Sequence, residues 1–300
     1  MAANQSKILV TGASGHLGAL VLTHLTGTYG YPPNLIIATS RNPEGLAQWV
    51  ELGVEVCAAD FYQPESLVEA FKGAEKLLLV STDSTDNEAR LNSHLNAITA
   101  AKSAGVSHIF YTSMPQPDDS LVSFAHVHLE TENAIKASGL TYTILRNSWY
   151  FENILGSIPG ALELGTLYTA AGDGTISYLS RSDLAKAAAA ALIATSGVDN
   201  VTLTLTGNES LSIAEVASKV SEFVGKPISV IQVPTEGIIE GAKAHGLPAP
   251  IAEMVASFDS ASKAGHLSAI TSDFETLTGK SPETFSVWLN ENKALFASTH

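Results

Sequence analysis

The feature that most restricts this chain is the octapeptide Thr11-Gly12-Ala13-Ser14-Gly15-His16-Leu17-Gly18. It lies between a short apolar run, Lys7 to Thr11, and a segment with helical spacing, Leu17 to Leu25. A strand that turns through glycines directly into a helix leaves the first amides of that helix unpaired and a positive dipole end exposed. Gly12 suits the tight turn, Gly15 carries no Cβ to block an approaching diphosphate, and Gly18 lets the helix lie close to the sheet. Such a loop is an anion cradle when it opens a series of strand-helix-strand units.

That series is present. Leu35 to Thr39, Val54 to Ala58, Lys76 to Ser81, His108 to Thr112 and Tyr142 to Leu145 read as strands. Helical windows separate them at Pro43 to Leu52, Pro64 to Phe71, Glu88 to Ala104 and Val122 to Ser138. The runs KLLLVS and HIFYTS hardly alternate, which predicts strands covered on both faces of a parallel, doubly wound α/β sheet. The second half is less regular. It predicts strands at Thr175 to Leu179, Val201 to Thr206 and Ile228 to Val233, and helices at Ser182 to Leu192, Ser212 to Val224 and Pro282 to Phe296. Short broken helices are expected across Thr235 to Ala264. Ser212 and Glu215 have capping-box spacing. We expect a dinucleotide domain over 1–155, completed by elements around 175–206, and a smaller α+β substrate lobe over 156–300. The continuous part of the first is expected to finish near Asn147.

Composition narrows the partners. Of 300 residues, 45% are hydrophobic and only 15% charged, so a large core is expected. Sixteen Lys and Arg against 30 Asp and Glu give a net charge of -14, which disfavours nucleic acid and anionic membrane surfaces. The single cysteine, Cys57, is read as an inert core thiol and points to no disulfide chemistry. No apolar run reaches the roughly 18 residues that would mark a spanning helix, and Met1 to Lys7 lacks the pattern of a signal peptide. A cytoplasmic protein is expected. No signal for an oligomeric state, and no metal-ligand spacing, is present.

The second strand should end Ala38-Thr39-Ser40-Arg41-Asn42. NAD-binding sheets of this type place an acid about 20 residues after the loop, on the ribose 2′-hydroxyl. Here there is none, and Arg41 stands where a guanidinium would clamp a 2′-phosphate, so NADP is the expected cofactor. The alternative is a solvated loop arginine. Asp60 and Phe61 follow the third strand and would meet adenine, the carboxylate accepting from its amine; equally, Asp60 would cap the helix at Pro64. Ser81 and Thr82 end the fourth strand and Thr112 and Ser113 the fifth, where hydroxyls would face ribose or nicotinamide or simply close the loops. Arg146-Asn147-Ser148-Trp149-Tyr150-Phe151 follows the sixth. Its three aromatics suggest a slot for a flat acceptor, with Tyr150 in the pocket and Phe151 in packing.

At these residues the chain resembles the NmrA-like group of atypical short-chain dehydrogenase/reductases, and within it the bacterial NAD(P)H:quinone oxidoreductases and their triphenylmethane reductase relatives. The likeness is carried by TGASGHLG (Thr11 to Gly18), SRNP (Ser40 to Pro43), EKLLLVS (Glu75 to Ser81), AAKSAGVSHIFYTS (Ala100 to Ser113), HLETENAIKASGLTYTILRNSWYFEN (His128 to Asn153) and AAGDG (Ala170 to Gly174). The resemblance implies an NADP-binding Rossmann domain, with nicotinamide contacts from Asn147, Ser148, Trp149 and Tyr150. It also implies a departure. Where many short-chain dehydrogenases have a catalytic tyrosine and a lysine four residues later, this chain has Phe124 and His128. Phenylalanine cannot protonate an alkoxide, so ordinary ketone reduction is disfavoured. A quinone takes hydride readily and leaves a stable phenolate that solvent protonates. The reading is thus an NADPH-dependent reductase of quinones or similar conjugated acceptors, with His128 and Tyr150 as candidate catalytic groups. His128 is equally compatible with a packed helix histidine. The competing reading is a dinucleotide-binding redox sensor with little turnover.

Overall fold

The computed structural model describes residues 6–296; the N-terminal stretch read above as lacking a leader lies, over 1–5, outside the described residues. Strand β1 (Ile8–Val10) enters the glycine loop and helix α1 (His16–Thr23), which continues as a π-turn, His24–Thr28. There follow β2 (Ile36–Ser40), α2 (Ala47–Glu51), β3 (Glu55–Ala58), α3 (Pro64–Phe71), β4 (Lys76–Leu79), α4 (Asn87–Ser103), β5 (His108–Ser113), α5 (Ala125–Ala137) and β6 (Thr141–Asn147). Beyond these come α6 (Ile158–Leu164), β7 (Thr166–Thr169), β8 (Thr175–Ile176), α7 (Arg181–Ile193), β9 (Val201–Leu205), β10 (Leu211–Ser212), α8 (Ile213–Val224) and β11 (Ser229–Gln232). Helices α9 (Thr235–Ala244), α10 (Ala249–Lys263), α11 (Asp273–Thr278) and α12 (Phe285–Glu291) close the described chain.

Seven strands form one sheet in the order β3-β2-β1-β4-β5-β6-β9. The pairings from β3 through β6 are all parallel, with Ile8 opposite both Ile36 and Lys76. The chain steps outward from β1 to β3, then returns to the other side of β1 as β4. This reversal puts the switch point of the sheet at the end of β1, where ligands of open α/β sheets sit. The apolar runs account for the burial: β1, β2 and β5 are buried at every residue. On one face, Leu9, Leu77, Ile109 and Tyr111 pack with Leu67 and Phe71 of α3 and Ala97 and Ala101 of α4. On the other, α1 packs against α7, whose buried alanines from Ala187 to Ala191 allow a close approach.

Backbone contacts divide the chain into two compact units. The first gathers 1–114, 127–147 and 181–204, and so holds the sheet from β1 to β6 with most of β9. Interrupted by 115–126, its first part reaches Asn147, and the returning elements are α7 and β9 rather than the whole of 175–206. The second gathers 115–126, 148–180 and 205–300. Inside it β7 pairs in parallel with β11, and β8 antiparallel with β10. Phe151, Tyr178, Phe285 and Trp288 form its aromatic core.

Several expectations shift. Thr175 to Leu179 shrinks to β8 plus an isolated bridge from Leu179 to Tyr150, because the chain is pulled onto a different partner there. Strand β7 and helices α6 and α11 have no counterpart in the sequence reading. Cys57 lies on β3, an outer strand, and is half-buried instead of sealed in the core; burial and the Glu55 carboxylate push its thiol up.

Candidate active site

The glycine loop is built by its own hydrogen bonds. Gly12 sits in the left-handed region at φ +60°, the Gly15 amide donates to Gly12 O at 2.9 Å, and the Ala13 amide donates to Thr39 O at 2.9 Å. Thr11 locks β1 to β4: its hydroxyl donates to Leu78 O at 3.0 Å and accepts from the Val80 amide at 3.0 Å. A Cβ on Gly18 would lie 2.3 Å from Gly12 O, so only glycine lets α1 rest on the loop. A Cβ on Gly15 would lie 3.2 Å from the same oxygen, a tight but lesser conflict. The first helical bond after the loop runs from the Ala19 amide to Gly15 O at 3.0 Å. The amides of His16, Leu17 and Gly18 precede it, and the loop is exposed from Ser14 to His16.

Beside this cradle is the end of β2. Ser14 Oγ and Ser40 Oγ lie 2.7 Å apart, and Ser40 Oγ accepts from the Asn42 amide at 3.0 Å. Arg41 is exposed, with Asp83 at 3.9 Å as its ion-pair partner. Asp60 does not cap α3, whose N-cap is Gln63. Its carboxylate instead closes the preceding turn, accepting from the Tyr62 amide at 3.0 Å and from Gln63 Nε2 at 3.1 Å. Phe61 packs on the core under α3, and its carbonyl accepts from Asn96 at 2.9 Å.

Past β4 the chain leaves the sheet and its amides turn to side chains. The Ser81 amide donates to Thr112 Oγ1 at 2.9 Å, and the Thr82 amide to His94 Nε2 at 3.1 Å. His94 Nδ1 lies 2.9 Å from Thr131 Oγ1, whose hydroxyl donates to Val127 O at 2.7 Å. Burial, helped by the Arg90 guanidinium, drives the imidazole of His94 down to about 3. His128 is buried too. Its Nδ1 lies 2.8 Å from the Tyr111 hydroxyl, and burial and its neighbours His94 and Arg90 hold it well below the ordinary histidine range. Burial likewise pushes Tyr111 up. Both imidazoles are therefore neutral at ordinary pH.

Ser113, expected at the ribose or nicotinamide, turns away: its hydroxyl donates to Glu132 Oε1 at 2.7 Å. The wholly buried Glu132 carboxylate also receives Arg146 through Nε at 2.9 Å and Nη2 at 2.8 Å. Sequence reasoning missed this buried pair, and His94 and Thr131 with it. The one signal was the ETE run, whose polar residues Thr131 and Glu132 sit in an otherwise amphipathic helix.

Buried polar atoms without a protein hydrogen bond gather at the carboxyl ends of the strands: Thr39 Oγ1 on β2, Thr82 Oγ1 beyond β4, and Asn147 Oδ1 and Ser148 Oγ at the end of β6. A buried unpaired oxygen costs free energy unless a ligand serves it. Together with a loop that tolerates no Cβ at Gly18 and a corner without carboxylate on β2, they fit a dinucleotide. Among the described residues no cluster of His, Cys, Asp or Glu suits a metal ion.

In the second unit, Trp149 meets Phe258 edge to face at 5.4 Å, and Phe124 meets Phe258 edge to face at 6.0 Å. All three rings are partly exposed. Phe258, on α10, was missed because it lies more than a hundred residues from its partners. Ser148 is buried, its amide donating to Leu205 O at 2.9 Å and its hydroxyl unpaired. Tyr150 pairs through its backbone with Leu179, and Phe151 is sealed in the core.

Strand order, switch point and glycine cradle define a Rossmann-type dinucleotide-binding protein. The chain belongs to the NmrA-like family, whose profile matches residues 4–289. It is 39% identical over 259 residues to quinone oxidoreductase 2 of Escherichia coli, covering 86% of this chain and 89% of that protein. Among solved structures it is similar to an NADPH-dependent quinone oxidoreductase from Escherichia coli complexed with NADPH, at TM-score 0.90 and 35% identity over 95% of this chain and 99% of that one. It is also similar to the Citrobacter triphenylmethane reductase complexed with NADP(H), at TM-score 0.87 and 37% identity over 93% and 98%.

Proposed function

We propose that this chain is an NADPH-dependent reductase that delivers hydride to a quinone or a similar conjugated, ring-shaped acceptor. The observation that carries the reading is the cradle from Gly12 to Gly18 beside a corner, Ser40 to Asn42, that offers hydroxyl, amide and guanidinium with no acid on β2; the exposed Asp83 carboxylate beyond β4 pairs with Arg41 at 3.9 Å. The relatives named above, with NADPH or NADP(H) bound, support it.

When bound, NADPH supplies a hydride, two electrons and a proton in one transfer. The chain's work is binding and orientation. Amides of Ser14 and His16, with those of Leu17 and Gly18 behind them, receive the diphosphate; the Gly15 amide is spent on Gly12 O, and Ala13 holds the loop to β2. Arg41 and Ser40 receive the 2′-phosphate. Thr82 and Asn147 serve the ligand's polar edges through the unpaired oxygens. Asp60 and Phe61 shape the adenine end through the turn before α3; Ser81 and Thr112 act at the ribose or nicotinamide indirectly, the Ser81 amide being fixed by Thr112 Oγ1.

Phe124, Trp149 and Phe258 offer aromatic faces to a flat acceptor, and the Tyr150 hydroxyl is the candidate polar contact. His128 is assigned a positioning role, through Tyr111, because its ring is buried and neutral. Hydride transfer to a quinone oxygen gives the hydroquinone monoanion, a phenolate, and water supplies the one proton still needed. No side-chain acid is required, consistent with phenylalanine at position 124. We assign the activity to the cytoplasm, consistent with the acidic charge; among the described residues no helix is long and apolar enough to cross a membrane.

The test is nicotinamide absorbance at fixed enzyme with a panel of quinones and azo or triphenylmethane dyes. Oxidation of NADPH well above background with at least one acceptor is expected. Tight binding with no turnover across the panel would replace the reading with a redox sensor.

A further inference from the structure

The cradle and the aromatic faces leave one buried group without a task. His94 is wholly buried, although a leucine would fill the same volume without a polar penalty. Its hydrogen bonds run in one direction only. A backbone amide can only donate, so Nε2 of His94 must be the acceptor for Thr82 N at 3.1 Å, and the Ser81 hydroxyl, 3.4 Å away, is a weaker second donor to the same nitrogen. Nδ1 therefore carries the proton and donates to Thr131 Oγ1 at 2.9 Å, and the Thr131 hydroxyl passes its own proton to Val127 O on α5 at 2.7 Å. One tautomer of one neutral ring satisfies every bond in the chain.

The place where this chain ends is informative. Pairing of β4 with β5 stops at Leu79 and Tyr111, and the backbone turns out of the sheet. The Ser81 amide is taken by Thr112 and the Thr82 amide by His94. The Thr82 hydroxyl is left buried and unpaired, at the carboxyl end of the strand beside the glycine loop.

We propose that His94 is a positioning residue for the dinucleotide: its single acceptor nitrogen clamps the Thr82 amide, and so aims the Thr82 hydroxyl at the bound cofactor. This rests on the reading of the chain as an NADPH-binding protein. The uncharged state of the ring follows from its burial beside Arg90. A charged imidazole would lose the acceptor and release Thr82.

Calorimetric affinity for NADPH tests the proposal in wild type and in His94→Leu, His94→Gln, Thr82→Ala and the double variant His94→Leu/Thr82→Ala. Glutamine keeps an acceptor oxygen on the Nε2 side; leucine does not. His94→Leu is expected to weaken binding about tenfold, the equivalent of one lost hydrogen bond. His94→Gln should recover most of that loss. The double variant should bind no more weakly than Thr82→Ala alone, because without its hydroxyl Thr82 has nothing left to aim. Losses that add, or full affinity in His94→Leu, overturn the proposal and leave the NADPH reading standing. Absence of NADPH binding by wild type overturns both. Should the leucine variant not fold, nitrogen-15 resonances of the wild-type ring decide. An acceptor-type Nε2 that shifts on NADPH addition but not on acidification to pH 5 supports the clamp; an Nε2–H tautomer, or an Nε2 unmoved by NADPH, removes it.

Discussion

At the scale of single residues, two charged groups separate what a sequence discloses from what only folding assembles. A role for Arg41 could be proposed from the sequence because the argument is local: it follows a strand end that lacks an acid. Replacing it by alanine should raise the Kd for NADPH about tenfold or more and leave NADH nearly unchanged, since charge-assisted bonds to the 2′-phosphate contribute roughly 1.5–3 kcal/mol. Calorimetry with both nucleotides checks this; equal losses would refute the assignment. Glu132 was not legible, because Ser113, Arg146 and Glu132 come from three elements and meet only in the tertiary structure. Glu132→Gln leaves Arg146 without its bidentate partner, and urea unfolding should show a loss of about 3–5 kcal/mol. A loss below about 1 kcal/mol would mean that water, not Glu132, satisfies Arg146. His128 shows the intermediate case. Its position on α5 was readable, but its burial against the Tyr111 hydroxyl was not.

At the scale of elements, the alternating first half was legible because its strands are short apolar runs, most of them covered on both faces, with the edge strand β3 partly exposed. In the second half α7, α8, β9 and β11 also follow their sequence readings within a residue, whereas β7 and β10 were missed because they are short and partly exposed. Tyr168 on β7 is over half exposed, so no periodic signal marks that strand. The Ser212–Glu215 capping box, by contrast, was readable from spacing alone and forms as expected, with Ser212 Oγ accepting from the Glu215 amide at 3.3 Å and Glu215 Oε2 accepting from the Ser212 amide at 2.8 Å. The glycine loop carries the prediction at this scale. Gly18→Ala puts a methyl 2.3 Å from Gly12 O, against backbone that cannot swing aside. It should cost about 1–3 kcal/mol of stability and weaken NADPH binding, both readable by thermal shift with and without nucleotide. Unchanged melting with full nucleotide stabilisation would mean that the close approach of α1 to the loop is not required.

At the scale of the whole molecule, the buried histidines set an acid limit. His94 and His108 are held down to about 3 and about 4, chiefly by burial, and His128 well below the ordinary value. In the unfolded chain all three take up protons near 6.5. Between these values the unfolded state binds more protons, so stability is present above about pH 6.5 and is lost as pH falls. Asp259, whose carboxyl is pushed up by burial, binds its proton first in the folded state and offsets part of the effect at the acid end. Urea unfolding at stepped pH should show uptake of about two to three protons per molecule between pH 6 and 5; a flat profile would contradict the buried, neutral rings. The central claim concerns the cradle, and a crystal structure of the NADPH complex tests it most directly. The account predicts the diphosphate on the amides between Gly12 and Gly18, the 2′-phosphate within hydrogen-bond reach of Arg41 and Ser40, and Thr82 and Asn147 paired with the ligand. A nucleotide bound elsewhere, or a 2′-phosphate turned to solvent away from Arg41, would contradict it.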